Sequence, residues 1–473
     1  MSDAPPALRI ARRTVEALAI TWALLLLVVF AWRVGFPLEL EWMEGGMLHQ
    51  ARRIELGQSP YPPPSAEFVP FLYTPLYSLV LAILGFVFPL GYGLGRVVSI
   101  LAWVAVCLAL WKAVRGEGKP RSHAAAAVGL ACAGYVFTFR WLDLARPDTF
   151  AMALVLWALV LLRHARDSPR RVLWAGVLMA LAFWTKQTAA SFVIASGLGA
   201  LLVAPRRLPI YVLTIALIDG GGMVLGNALT DGWLWTYVYE LHQTHAFNRE
   251  RFTTKTWGMF LHAWPLVMLV VLGMLAHGLA RLPARARAFR SPDRSAPASA
   301  APDAVVPVLP SWRGLAYWLL MAAAGLFVSA LGYATQWAEP NAFIPGVVLG
   351  ALALAVALPV GGRGEAPALA SIAAQLVLCL VAEPRYHPVQ QHGLAGLHHS
   401  YAWQDPWRTL PRPDAWRRAR ELRSTLEATQ APVLALQRPW WSVLAGGDGH
   451  VGTMGLTDVR PYERAAIEQL LRE

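Results

Sequence analysis

At 473 residues, with 56% hydrophobic and only 15% charged residues and a mean hydropathy of +0.44, the chain is too apolar for an ordinary soluble domain and reads as a polytopic membrane protein. Its formal charge of +12 is spread between apolar runs, as in cytoplasmic loops, so no nucleic-acid partner is expected. The cysteines, Cys107, Cys132 and Cys379, all fall inside apolar runs and supply neither a disulfide framework nor a zinc motif.

Residues 1–13 carry Arg9, Arg12 and Arg13 ahead of an apolar run over 15–32 with no small-x-small cleavage site after it. This run is read as an uncleaved signal anchor with the N-terminus in the cytoplasm. The next stretch, 38–77, is LELEWMEGGMLHQARRIELGQSPYPPPSAEFVPFLYTPLY. A charge at the bilayer centre costs about 2.5–3.5 kcal/mol on insertion scales, so Glu39, Glu41 and Glu44 mark a segment that has left the hydrocarbon. HQARRIELGQ predicts a short amphipathic helix, and the proline run after it a stop. The apolar stretch 76–89 is shorter than the roughly 20 residues of a usual span and is expected to be interfacial or re-entrant.

From there the positive-inside rule orders the chain. Run 97–114 descends to a cytoplasmic loop with Lys112, Arg115, Lys119 and Arg121, and 123–139 climbs back. RWLDLARPD (140–148) is a second outer loop, 149–162 descends, and 172–184 ascends to the outer turn TKQ. Runs 189–204 and 209–225 form the next pair, and a long outer loop precedes 262–280. Pro/Ala/Ser-rich 281–313 is expected to be a cytoplasmic linker, since its composition buries no core. Runs 314–333, 343–360 and 366–382 follow, with TQWAEPNAFIP between the first two. The count is about eleven spans, which puts the C-terminus outside. The expected fold is therefore an all-α polytopic domain over 1–382, with its first extracytoplasmic loop at 33–95, and a small extracytoplasmic α/β appendage over 383–473. In the appendage, PDAWRRARELRSTLEAT reads as a helix, PVLALQ as a strand and AGGDGHVG as a turn. There is no internal repeat of the kind that builds many secondary transporters.

Three groups share the outer face in this layout: the glutamates of the first loop, Asp143, Arg146 and Asp148 of the second, and Lys186 of the third. A carboxylate there can take the proton of an attacking hydroxyl, and an arginine or lysine can stabilise a departing phosphate. Each residue also has a plainer reading. Glu41 and Glu44 suit the first turn of the following helix, Asp148 can cap the span after it, and Lys186 and Arg146 can be snorkelling surface cations. Asp219, near the middle of a span, is a candidate by position, but the glycines beside it can break the helix and expose it to water. His242 and His245 have metal-like spacing but no evident third ligand.

The patterns EGG-x(5)-ARR, YTPLY, ARPD, WTKQ and NAFIP resemble membrane glycosyltransferases of the GT-C fold, the bacterial relatives of the aminoarabinose lipid A transferase and of protein O-mannosyltransferases. The resemblance covers the first half of the chain well and the second half mainly in layout. It implies a polyprenyl-phosphate sugar donor, transfer to a glycan, lipid or protein acceptor outside the cytoplasm, inversion at the anomeric carbon by a single displacement that needs one carboxylate, and residence in a bacterial inner membrane among its lipids. No cofactor is specified, and a divalent cation is left open. By the resemblance, Glu44 falls on the glutamate of the family's first-loop pair, Asp148 on its second-loop acid, and Lys186 on a lysine near the donor phosphate, with Arg146 beside it. Asn341 matches an asparagine to which no role is attached. The family usually has Asp-Glu where this chain has Met43-Glu44, which leaves the base open between Glu44 and Glu41; Glu44 is the favoured base, Asp148 is expected to position the acceptor or a cation, and Lys186 with Arg146 to stabilise the donor phosphate. The competing classes are a transporter or flippase of lipid-linked sugars, and a membrane scaffold presenting the appendage.

Overall fold

The structure, a computed structural model, describes residues 4–65, 67–274, 312–361, 364–386, 397–400, 403, 405–429 and 431–459. Nearly all of the expected linker, 281–311, lies outside the described residues. The molecule is a multi-pass helical bundle. Its first helices are α1 (Pro6–Val34), α2 (Glu44–Glu55), α3 (Leu76–Gly85), α4 (Tyr92–Gly116), α5 (Arg121–Ala133), α6 (Pro147–Arg163), α7 (Pro169–Thr185) and α8 (Ala190–Val203). Among the described residues five helices are long and apolar enough to cross a membrane: α1, α4, Pro205–Leu229, Trp312–Ala334 and Pro340–Ala357.

A sixth crossing exists if Arg251–Ala263 and Pro265–Met274 are one span, bent by 97°. The straight span expected over 262–280 is therefore broken near its start. Pro265 explains this, since it has no amide to donate and its ring clashes with the preceding turn. Several other expected spans are shorter helices. α5 has 13 residues, α8 14, and α6, α7 and Glu365–Val381 17 each. Prolines 120, 147 and 169 set the starts of α5, α6 and α7, which trims the apolar runs. α3, at 10 residues, is too short to span, in keeping with the interfacial expectation.

α1 packs on α5 and Glu365–Val381, α6 on α4 and α7, and Trp312–Ala334 on α8 and Ile344–Ala357. Buried Trp22, Val106, Leu130, Leu159, Trp318 and Leu352 belong to the common core. Ion pairs staple both ends of the bundle. At the end holding the N-terminus of α1, Arg12 meets Glu365 at 2.7 Å, while Glu117 takes Arg163 at 2.7 Å and the Trp318 indole at 2.8 Å. At the other end, Arg33 donates to Asp143 at 2.7 Å.

That second end carries the loops. Arg96, fully buried on α4, donates to the carbonyls of Phe36 and Leu38 at 2.6 and 2.7 Å and to both oxygens of Glu44 at 2.9 and 2.7 Å. The amides of Leu40 and Ala145 donate to the same carboxylate at 2.7 and 2.8 Å. One carboxylate thus joins the first loop, α4 and the second loop. The second loop comes this close because residue 95 is glycine: a Cβ there would meet the Cβ of Ala145 at 2.5 Å.

In the C-terminal region, Glu383–Tyr386 pairs antiparallel with Leu397–Ser400, the one strand pair among the described residues. The expected helix is present as Pro413–Ala428. The strand expected over 432–437 is not: that segment is irregular, and among the described residues no strand pairs with it to complete a ladder. The chain then returns to the first loop. The Trp441 indole donates to Glu39 at 2.7 Å, Arg438 pairs with Glu39 at 3.2 Å, and His49 contacts the Asp448 carbonyl at 3.1 Å.

Removing one member of a buried ion pair costs about 3–5 kcal/mol because the other charge is left uncompensated. Glu44→Ala is therefore expected to lose stability on that scale in detergent unfolding, whereas Glu427→Ala, on the exposed face of Pro413–Ala428, should stay within about 0.5 kcal/mol of wild type.

Candidate active site

A cavity of about 680 Å³ opens between the loops at this end, lined by Tyr73 and Trp42 of the first loop, Arg146 and Asp148 of the second, and Lys186 and Asn341. The ARPD motif explains two of these positions. Arg146 precedes a proline and is held extended at φ −141° and ψ 154°, since the pyrrolidine ring disfavours the helical region for its neighbour. Pro147 then starts α6, and Asp148 falls in its first turn, where a carboxylate is favoured by the unpaired amides. Lys186 ends α7 in an extended conformation.

The side chains form one network. The Lys186 ammonium donates to Asp148 Oδ1 at 2.6 Å, and the Asn341 amide donates to the same oxygen at 2.8 Å. Arg146 donates to Asp148 Oδ2 at 3.4 Å, to Glu41 Oε2 at 2.9 Å and to the Tyr73 hydroxyl at 2.8 Å. Its guanidinium lies 4.3 Å from the centre of the Trp141 ring, a cation–π contact that holds the plane in place. Tyr73 is positioned from behind: the Thr74 hydroxyl donates to the Phe183 carbonyl at 2.8 Å, and the Tyr61 hydroxyl to the Tyr73 carbonyl at 2.7 Å.

Of the expected residues, Arg146, Asp148 and Lys186 come together at the cavity wall. Glu41 stands one side chain behind it, across Arg146, and its Oε1 is buried with no hydrogen-bond partner. Glu44 is elsewhere: it is fully buried and four donors occupy its two oxygens. Asp143 is likewise spent, accepting from Arg33 at 2.7 Å and from the Tyr135 hydroxyl at 2.9 Å. The two glutamates differ electrostatically as well. Burial pushes the Glu41 carboxyl above its usual range, with Arg146 only partly offsetting it. Burial acts on Glu44 too, but Arg96 and the two amides outweigh it and hold that carboxyl below the usual range.

Several cavity residues were not chosen from the sequence as site residues. Tyr73 lies in the YTPLY motif, and Asn341 in NAFIP, so both carried a signal. Gln187, His242, His245, Glu339 and Asp458 also line the cavity. Asp458 had no sequence signal, because it is brought in from the C-terminal region by packing. Among the described residues no three His, Cys, Asp or Glu side chains form a metal-binding group.

Residues 71–306 match Glycosyltransferase family 87. Over that stretch the chain belongs to glycosyltransferase family 87. The family 87 match includes Tyr73, Arg146, Asp148 and Lys186, while Glu41 and Glu44 precede it. Among solved structures, the family 87 chain is similar to ArnT from Cupriavidus metallidurans in the apo state, at 13% identity and a TM-score of 0.50, over 93% of this chain and 88% of that one. It is also similar to ArnT of the same organism bound to undecaprenyl phosphate, at 14% identity and a TM-score of 0.45, over 72% of this chain and 59% of that one. At such identities the likeness to apo ArnT is one of fold. No curated protein sequence matches the chain.

Because Arg146 is the main influence lowering the Glu41 carboxyl against burial, Arg146→Ala is expected to raise its protonation midpoint further. Infrared difference titration, with Glu41→Gln identifying the band, checks the shift. A midpoint that falls or stays fixed contradicts this electrostatic picture.

Proposed function

We propose that this membrane glycosyltransferase moves a sugar from a polyprenyl-phosphate donor to an acceptor hydroxyl, with inversion at the anomeric carbon. The observation that carries the reading is the cavity itself. Arg146 and Lys186 stand at its polar end, and Met152, Val155, Phe192 and Val328 form an apolar wall beside them. A phosphate with a long hydrocarbon tail fits that pairing. The fold shared with apo ArnT is in keeping with it, and ArnT of the same organism is known bound to undecaprenyl phosphate, a molecule of this class.

Glu41 and Asp148 are counter-ions to Arg146 and Lys186. A donor phosphate competes for the same N–H groups, and its engagement of Arg146 frees Glu41. The acceptor oxygen then attacks the anomeric carbon as the bond from that carbon to the phosphate oxygen breaks. The bonding pair leaves with polyprenyl phosphate, and the hydroxyl proton passes to Glu41. The leaving phosphate gains negative charge in this step, so Arg146 and Lys186 act more strongly on the transition state than on the bound donor. Asp148 keeps Lys186 and Asn341 in place. Glu44, with no free oxygen, serves the loops and not the proton transfer.

The arginines of the loops after α4, α6 and α8 cluster at the opposite end of the bundle, and by the positive-inside rule this supports a reading with the cavity outside the cytoplasm. We read the shorter helices as further spans of a domain over 1–382, in a bacterial inner membrane, with the 383–473 appendage outside. Carriage of lipid-linked sugars across the bilayer is disfavoured because the charged groups gather at one end of the bundle instead of near its middle.

Purified protein supplied with labelled polyprenyl-phosphate sugars is expected to release polyprenyl phosphate with at least one of them. Glu41→Gln should lower kcat by about 10²–10⁴-fold, the range for a general base, in protein that still unfolds cooperatively, at a lowered temperature because the buried pair with Arg146 loses one charge. Arg146→Lys keeps the charge but loses the planar fork, and should raise the donor KM about tenfold. Transport of the donor across reconstituted bilayers without its turnover would overturn the reading.

A further inference from the structure

The cavity has a second polar face that the donor chemistry leaves unused. From Lys186 the wall continues to Gln187, whose amide contacts His242 Nε2. The His242 and His245 rings lie 5.5 Å apart, and His245 Nε2 meets Asp458 Oδ1 at 3.3 Å. Burial lowers the proton affinity of His242, so this face differs from the cationic end. Gln187 Oε1 is buried with no donor, an unsatisfied acceptor that a hydroxyl would complete.

The same lining includes Glu339 and Trp337. Trp337 sits in the left-handed region at φ 64°, an outlier for a bulky residue and a mark of a conformation held for some other purpose. It is 56% exposed, and Trp42, also on the lining, is 39% exposed. Exposed indoles and hydrogen-bonding side chains lining the same cavity complement a sugar ring, which offers C–H groups on its faces and hydroxyls at its edge. The carboxylates Glu339 and Asp458 disfavour an anionic ligand here, and the nearby Arg251 donates to the Tyr333 and Ala338 carbonyls at 3.4 and 3.2 Å.

We propose that this face is the acceptor subsite, that it takes a neutral saccharide, and that the C-terminal segment Thr453–Val459 completes it. The proposal rests on the glycosyl-transfer reading above for the use made of the bound sugar. The segment is fixed by Val451 and Val459, which pack with Tyr61, Leu234 and Tyr237, and it brings Met454 and Asp458 to the lining.

Tryptophan fluorescence with methyl hexosides and methyl pentosides tests binding without any turnover. A saturable change is expected in wild type, weakened about tenfold or more in Asp458→Ala and in Trp337→Gly. Trp337→Gly also relieves the left-handed backbone, so its folding is not at risk. In the transfer assay the same variants should raise the glycoside KM by a similar factor while the donor KM stays within about twofold. No saturable glycoside binding, or glycoside binding and KM unchanged in both variants, overturns the subsite. So does saturable binding of serine- or threonine-containing peptides in place of glycosides. Glycoside binding with no donor turned over would leave the subsite standing and remove the glycosyltransferase reading.

Discussion

The carboxylate of Glu44 and the guanidinium of Arg96 are both fully buried, and the arrangement of the loops depends on them. A buried ion pair is costly to desolvate and is tolerated when its remaining hydrogen-bonding capacity is satisfied. Here Glu44 also accepts from two backbone amides, and Arg96 donates to carbonyls of the first loop. The pair therefore organises backbone from three parts of the chain. Because Glu44 is held against α4, the backbone just before it is held too, and Glu41 is delivered to Arg146.

The cavity network has a different character. Arg146 and Lys186 are balanced by Glu41 and Asp148 across distances of 2.6–3.4 Å, yet Glu41 Oε1 remains without a partner. Charges held ready in a shielded site act strongly on charge that develops during a reaction, and they need little rearrangement to do so. The aromatic faces of Tyr73 and Trp141 keep the guanidinium in register, which suits a planar fork presented to phosphate oxygens.

The C-terminal region is tied to this arrangement. Trp440 packs with Met47, Leu48 and Phe71 under the first loop, and Glu39, the first glutamate of the cluster, is held by Tyr92 and Trp441. The three glutamates that look alike in sequence thus have three different surroundings. Glu39 fastens the C-terminal region, Glu44 fastens the loops to α4, and Glu41 reaches the cavity network.

The sequence by itself determined the membrane class, most helix positions and the convergence of the acidic and basic loops on one end. These follow from hydropathy, proline placement and charge distribution, which act over short stretches of chain. ARPD is an example, since the proline alone accounts for the extended Arg146 and for the start of α6. The tertiary structure decided which glutamate is spent and which retains a free oxygen, because the partner of Glu44 lies 52 residues away on α4. It also decided that 432–437 is not a strand, since no strand among the described residues pairs with it. Last, it brought Asp458 to His245 across 213 residues, since side-chain packing between distant segments leaves no periodic trace in either one.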